Sequence, residues 1–211
     1  MLEIVPLILG PVSTNCYLIA DPDSGEAAVI DPAWDGNAII AEARKHGWSI
    51  GQLWYTHAHF DHIGGAAEIA RLLNPQPVVA MHSAERPLWE AGGGGVIFGY
   101  QIDKGPEPGV DLATTRTMSV GRISFDIRHA PGHTPGHCIF YCSSASVLFS
   151  GDLIFQRSVG RTDLPGGDWE TLERSIREKV YTLPEPTRIL PGHGEQTSVG
   201  EEKRGNPLVV F

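Results

Sequence analysis

Short apolar stretches alternate with polar breaks rich in glycine and proline, and their lengths are typical of β-strands. Those in the first half predict strands at 2–9, 14–20, 26–31, 49–56 and 77–82. Apolar residues spaced three or four apart predict helices at 34–47 and 64–74, with a third around 84–90. The first half therefore alternates strands with helices.

The second half begins after a predicted loop at 91–112, whose AGGGG run at 91–95 indicates a flexible segment. Strands then dominate, and we predict them at 114–120, 122–130, 137–143, 146–151 and from 188. A helix is predicted at 168–182. This order favours an α/β fold of two sheets with helices on their outer faces. A length of 211 residues suits one large domain.

Composition and charge exclude several classes of protein. The formal net charge of −9 and the lack of a basic stripe argue against a nucleic-acid partner. No apolar run approaches the ~20 residues of a membrane span. The N-terminus carries Glu3 and Pro6 and lacks a basic region, so we expect no signal peptide and a cytoplasmic location. Cys16, Cys138 and Cys142 are too sparse for a disulfide framework, and we expect them in the core.

Metal-ligating residue types cluster in THAHFDHIGG at 56–65 and recur where later strands end. The candidate ligands are His57, His59, Asp61, His62, His133, Asp152 and His193. Loops on a rigid scaffold commonly carry chemistry, and imidazole with carboxylate is a donor set that zinc prefers. His57 and His59 would lie on one side of an extended segment and could share a metal with a distant histidine. Asp61, His62 and His193 could hold a second metal, with Asp152 as the bridge.

In the motifs THAHFDHIGG, HAPGHTPGH, SGDLIF and LPGHG the chain resembles the metallo-β-lactamase superfamily. GPVSTNCYLI, VIDP, GRTDLPGGD and GEEKRGNP resemble its glyoxalase II-like hydrolases. The resemblance implies a four-layer αβ/βα sandwich of two mixed sheets with a dinuclear site at one edge. It assigns one metal to His57, His59, His133 and Asp152. It assigns the other to Asp61, His62, Asp152 and His193.

The same resemblance implies hydrolysis of S-lactoylglutathione or a similar thioester, with two divalent metals. Zinc is the first choice, and iron or manganese are alternatives. A metal-bridging hydroxide would attack the thioester carbonyl, and Asp61 would orient the water as a catalytic residue. Arg161, like Arg157, is a candidate for binding substrate carboxylates, with a solvated surface role as the alternative. We expect no C-terminal helical glutathione-binding domain of the kind that longer members carry.

Several alternatives remain open at this point. Persulfide dioxygenases also resemble the chain, and His57, His133 and Asp152 could hold their single iron. Lactam or nucleic-acid hydrolysis is disfavoured by the N-terminus and by the charge. His137 is expected to be structural beneath the site, whereas Asp31 either orients a ligand histidine or caps a turn. The oligomeric state is not predicted.

Overall fold

The computed structural model describes residues 1–210, which form two six-stranded β-sheets packed face to face. The strands of the first sheet are β1 (Glu3–Leu9), β2 (Thr14–Asp21), β3 (Glu26–Ile30), β4 (Ser49–Trp54), β5 (Val78–Met81) and β6 (Val110–Asp111). Those of the second are β7 (Thr117–Val120), β8 (Ile123–His129), β9 (Cys138–Cys142), β10 (Val147–Gly151), β13 (Arg188–Pro191) and β14 (Thr197–Ser198). A separate two-stranded ribbon consists of β11 (Ile154–Phe155) and β12 (Ser158–Val159).

The α-helices are short; five of them lie between these strands in the chain, and the sixth follows the last strand. They are α1 (Gly36–Lys45), α2 (Phe60–Ile63), α3 (Ala66–Leu72), α4 (Arg86–Glu90), α5 (Trp169–Ser175) and α6 (Val199–Gly205). The expected helix at 168–182 is divided, because α5 continues as a π-helical turn over Ile176–Val180. Helix α2 lies inside the histidine-rich motif and α6 near the C-terminal end, and the sequence pattern predicted neither.

Both sheets are mixed. The first has the order β1-β2-β3-β4-β5-β6, antiparallel from β1 to β3 and parallel from β3 to β6. The second has the order β14-β13-β10-β9-β8-β7, and its parallel pair is β10 with β13. The predicted α/β sandwich with two mixed sheets is therefore confirmed.

Alternation along β2 shows how the layers are held together. Tyr17 and Ile19 point between the sheets, into a core that includes Trp54 of the first sheet and Phe125 of the second. The rings of Trp54 and Phe125 meet edge to face, with centroids 5.0 Å apart. Leu18 points the other way, into the apolar layer that the helices α1 and α3 cover. Successive side chains of a strand face opposite sides, so one strand supplies two layers of core.

The glycine run at 91–95, predicted to be a flexible loop, belongs to a packed 3₁₀ segment, Gly92–Phe98. Gly93 has a φ of 66°, and a Cβ there would lie 2.3 Å from the Phe60 amide nitrogen. A side chain would therefore clash with the backbone of α2. The run permits close backbone packing beside the histidine-rich motif.

Within residues 1–210, no helix has the length and apolarity needed to cross a bilayer.

Candidate metal centre

Loops that leave four strands meet at one edge of the sandwich, and each carries candidate ligands. The segment after β4 carries His57 to His62, and the loop between β8 and β9 carries His133. Asp152 directly follows β10, and His193 lies two residues beyond β13. Backbone hydrogen bonds hold these segments in place: the Cys138 amide donates to the Thr56 carbonyl at 2.7 Å, and the Asn15 amide of β2 donates to the Gly192 carbonyl at 2.7 Å.

Three imidazoles form the first half of the cluster. His133 Nε2 lies 2.9 Å from His59 Nδ1 and 3.2 Å from His57 Nε2. The other nitrogen of His133, Nδ1, lies 2.8 Å from the Arg161 carbonyl oxygen. A carbonyl only accepts, so Nδ1 carries the proton and Nε2 presents a lone pair to its neighbours. Sequence spacing placed His57 and His59 together with a distant histidine, and the structure brings His133 to them.

Two carboxylates and two imidazoles form the second half. Asp61 Oδ2 lies 3.2 Å from His193 Nε2 and 3.4 Å from His62 Nε2. Asp152 Oδ1 lies 3.4 Å from His62 Nε2, whereas Asp152 Oδ2 lies 3.6 Å from both His193 Nε2 and His133 Nε2. Asp152 therefore lies between the two halves, as a bridging carboxylate would.

Asp31 orients the cluster from beneath. Its Oδ2 lies 2.9 Å from His62 Nδ1 and accepts the Thr56 hydroxyl at 2.7 Å. Its Oδ1 accepts the Thr56 amide at 2.7 Å. The Thr56 hydroxyl donates to Asp31, so it accepts from His57 Nδ1, 3.0 Å away. One buried carboxylate thus fixes the protonated nitrogen of two candidate ligands, which favours the orienting role over the turn cap.

The donor atoms fit a bound divalent metal. His57, His59 and His133 direct ring nitrogens at one another, and hydrogen bonds on the far side of His57 and His133 leave lone pairs facing inward. His62 Nε2 and Asp152 Oδ1 are buried without a hydrogen-bond partner. Buried polar atoms without partners are costly, and a cation among them removes that cost. The mixed imidazole and carboxylate set suits zinc, iron or manganese.

Burial and mutual charge set the protonation of these groups. Burial, reinforced by neighbouring imidazoles, holds the pKa of His57 well below its ordinary value and lowers that of His59 to about 3. Burial also disfavours a charged His62, but the carboxylates of Asp152 and Asp61 raise its pKa well above the ordinary value. Burial would raise the pKa of Asp61, yet the charge of His62 and other contacts lower it to about 2. At neutral pH His57 and His59 are thus neutral and Asp61 is ionised, the protonation states that metal ligands need, whereas His62 holds a proton that a bound metal would displace.

Glu85, a residue that sequence reasoning missed, joins two of the ligand loops. Its side chain is 1% exposed. Oε2 accepts the Ala58 amide at 2.8 Å, between His57 and His59 in the chain, and Oε1 accepts the Gly136 amide at 2.7 Å, beyond His133. Burial raises the pKa of this carboxyl. The sequence signal is weak, because Glu85 lies in a polar stretch, SAER, that resembles a helix start.

Replacement of Glu85 with glutamine should lower metal affinity by about 10- to 100-fold, as loss of a hydrogen bond that positions metal ligands typically does. A glutamine amide group offers one acceptor oxygen, so its NH₂ would face one of the two amide donors. Calorimetric zinc titration of the metal-free protein measures the change. Glu178→Gln, at an exposed position, is the control. Equal zinc affinity in Glu85→Gln and Glu178→Gln would show that Glu85 does not position the ligands.

The remaining predicted residues lie around this centre. His137 is fully buried, and its Nε2 accepts the Asp152 amide at 3.1 Å, as expected for a structural residue. Arg161 reaches the cavity above the cluster, but its guanidinium forms two hydrogen bonds with the Asp163 carboxylate, of 2.6 and 2.8 Å. Arg157 instead donates to the Gly205 carbonyl at 2.6 Å and packs against the C-terminal segment. Substrate binding by Arg161 stays a prediction.

A two-sheet sandwich with helices outside and a His/Asp cluster at one edge defines a class of metal-binding α/β proteins. The sequence model of the metallo-beta-lactamase superfamily matches residues 9–193, and the chain belongs to that superfamily.

Two relatives cover nearly the whole chain. Hydroxyacylglutathione hydrolase GloC of Haemophilus influenzae is 33% identical over 216 residues, covering 99% of this chain and 97% of that protein. Probable metallo-hydrolase YqgX of Bacillus subtilis is 34% identical over 203 residues, covering 95% of this chain and 94% of that protein. These relatives support a metal-dependent hydrolase and confirm the glyoxalase II-like resemblance.

Solved structures confirm the fold. BLEG-1 B3 metallo-beta-lactamase superimposes with a TM-score of 0.91 at 35% identity, covering all of both chains. TTHA1623 in a di-iron-bound form superimposes with a TM-score of 0.86 at 36% identity, covering 96% of this chain and 98% of that one. ETHE1 from Myxococcus xanthus superimposes with a TM-score of 0.80 at 25% identity, covering 98% of this chain and 84% of that one. Similar chains thus carry different names, so the fold by itself leaves the substrate undefined.

Proposed function

We propose that the protein is a metal-dependent thioester hydrolase of the glyoxalase II type, acting on S-lactoylglutathione or a similar thioester. The observation that carries this proposal is the convergence of two ligand groups around Asp152. Asp152 Oδ2 lies 3.6 Å from His133 Nε2 of the first group and 3.6 Å from His193 Nε2 of the second. The similarity to hydroxyacylglutathione hydrolase GloC supports the choice of a thioester.

The proposed ligands are those that the motifs assign. His57, His59, His133 and Asp152 would hold one metal, and Asp61, His62, Asp152 and His193 would hold the other. Bound divalent cations supply Lewis acidity, which makes water nucleophilic near neutral pH and polarises a carbonyl. We propose zinc for both positions, with iron or manganese as alternatives that the di-iron form of TTHA1623 keeps open.

The side chains of this protein would orient the reactants. Asp61 Oδ2 accepts the Thr14 hydroxyl at 2.9 Å, which fixes the carboxylate at the floor of the cavity. In the proposal Asp61 both ligates metal and accepts a hydrogen bond from the attacking water, which aims the water at the carbonyl carbon. The leaving thiolate needs no proton from the protein, because an ordinary thiol has a pKa of about 8.5 and is a good leaving group.

A second candidate function is oxidation of a persulfide at a single iron, and one geometric feature supports it. His133 Nε2 lies 3.2 Å from His57 Nε2 and 3.6 Å from Asp152 Oδ2, so two imidazoles and one carboxylate converge on a point. That is the donor set of many non-haem iron oxygenases. The second group of ligands is complete as well, which favours the dinuclear hydrolase.

Metal removal and selective reloading should separate these functions. We expect chelation to abolish hydrolysis of S-lactoylglutathione and two equivalents of zinc to restore it, because the nucleophile depends on the metal. The measurement is the decrease in thioester absorbance, paired with elemental analysis. The same preparations are tested for oxygen uptake with glutathione persulfide and for opening of a β-lactam.

Oxygen uptake by protein that holds one iron, without thioester hydrolysis by the zinc-loaded protein, would establish the dioxygenase instead. Hydrolysis of the β-lactam without the thioester would establish a lactamase. Full thioesterase activity in the metal-free protein would refute the metal-dependent mechanism.

A further inference from the structure

A cavity of about 360 Å³ opens directly above the ligand cluster. Its floor is made of candidate metal ligands: His59, Asp61, His133, Asp152 and His193. Its walls are largely apolar or aromatic: Val12, Phe60, Phe98, Tyr100 and Leu164. A substrate whose reacting carbonyl lies at the floor therefore places its next atoms against apolar side chains.

Phe98 belongs to an aromatic stack that is built onto the ligand helix. Phe60, which lies between His59 and Asp61 in the chain, stacks with Phe98 at 5.7 Å and with Tyr100 at 5.2 Å between ring centroids. Phe60 is buried, whereas Phe98 is 44% exposed at the cavity. The stack gives Phe98 a defined position, although much of its ring remains open to solvent.

The glycine-rich segment holds Phe98 in place. Gly93 lies against the Phe60 backbone, and a Cβ on Gly95 would lie 2.9 Å from the Tyr100 carbonyl oxygen. The base of the segment is thus packed against the histidine-rich motif. Exposure of a large apolar ring to water is unfavourable, and a ligand that covers the Phe98 ring would gain the free energy of burying that apolar surface.

The cavity offers few cationic groups to a glutathione carrier. Among the residues within 1–210 that line it, Arg161 has the one side chain with a permanent positive charge. That guanidinium already forms two hydrogen bonds with Asp163. Glutathione has two carboxylates, and a cationic partner would strengthen the recognition of each. The cavity therefore offers more to an apolar group than to this peptide.

We infer that the apolar wall selects the acyl group of the substrate, so that the enzyme prefers thioesters of medium-chain alkyl or aryl acids and discriminates little between thiol carriers. This inference rests on the proposed thioesterase function. The acyl group is the occupant, because common thiol carriers are polar amides, whereas acyl groups range from polar to wholly apolar. Phe98 is the specificity-determining residue, since it lies at the cavity and its ring has free surface.

The test is a series of acetyl, butanoyl and hexanoyl thioesters on two carriers, glutathione and uncharged N-acetylcysteamine. For the metal-loaded protein we expect kcat/KM to rise about fourfold for each added methylene on both carriers. Phe98→Ala should flatten this dependence, and Phe98→Leu should retain part of it. Ile97→Ala is the matched control, since Ile97 lies on the same segment, is 69% exposed and does not line the cavity.

A binding experiment separates this inference from the proposed function. The Kd of uncleavable S-alkyl thioethers of N-acetylcysteamine is measured by calorimetry for the wild-type and Phe98→Ala proteins. Suppose that the thioethers bind more tightly as the alkyl chain lengthens, that this trend is lost in Phe98→Ala, and that no thioester is hydrolysed. This result would support the apolar subsite and refute the thioesterase. Hydrolysis at rates independent of acyl length, or a length dependence unchanged by Phe98→Ala, would keep the thioesterase and refute the subsite.

Discussion

Replacing Asp152 with asparagine should reduce thioester hydrolysis by about 10³-fold or more, because loss of a bridging carboxylate removes several kcal/mol of transition-state stabilisation. Asp152 lies between both ligand groups, with Oδ1 near His62 and Oδ2 near His133 and His193. An asparagine amide keeps the shape but removes the negative charge and directs a donor NH₂ at one of these imidazoles.

We expect metal content to fall from two ions per chain to one or none in Asp152→Asn, as measured by elemental analysis after gel filtration. Asp103→Asn is the control, because Asp103 is exposed, forms an ion pair with Arg71 and does not line the cavity above the cluster. Circular dichroism checks that both variants are folded. An Asp152→Asn protein that keeps two metals and the wild-type rate would refute the bridging role.

The sequence predicted the layers well because buried residues recur with different periods in strands and in helices. In β2, Tyr17 and Ile19 face the other sheet, whereas Leu18 faces the helices, so residues 16–20 form a continuous apolar run that is easy to recognise. The elements that escaped prediction are short. Helix α2, Phe60–Ile63, is a single turn within the metal motif, and its conformation depends on loops that pack around it.

The candidate ligands were predicted by type and by position at strand ends, and the structure brings all of them together. Their roles as metal ligands stay a prediction, as do the single domain over 1–211 and the cytoplasmic location. Glu85 and Asp31 could not be assigned from the sequence, because an outer hydrogen bond depends on which loops meet in space. Glu85 contacts Ala58 and Gly136, 27 and 51 positions away in the chain.

The role of the glycines beside the cluster could not be predicted from the sequence either. The side chains with which a Cβ at these positions would clash are far away in the chain and meet the glycines only in the folded structure. Gly192 follows β13 in the LPGHG motif, where a turn would by itself explain a glycine. A Cβ there would lie 2.1 Å from Asp152 Oδ1 and 2.8 Å from His62 Cε1. The position thus leaves room for the carboxylate that lies between the two ligand groups.

Replacing Gly192 with alanine should displace the Asp152 carboxylate, and we expect at least a 10²-fold loss of hydrolysis together with loss of one metal, since small misplacements of reacting groups cost about that much. Overpacking of this kind costs about 1–3 kcal/mol of stability, so thermal unfolding is measured alongside activity and metal content. Gly51→Ala is the matched control, because a Cβ on Gly51 in β4 would meet no heavy atom within 4 Å. A folded Gly192→Ala protein with two metals and the same kcat as Gly51→Ala would show that the carboxylate can move without consequence. The assignment of Asp152 as the shared ligand would then be wrong, because a bridging oxygen must keep its distance to both metals.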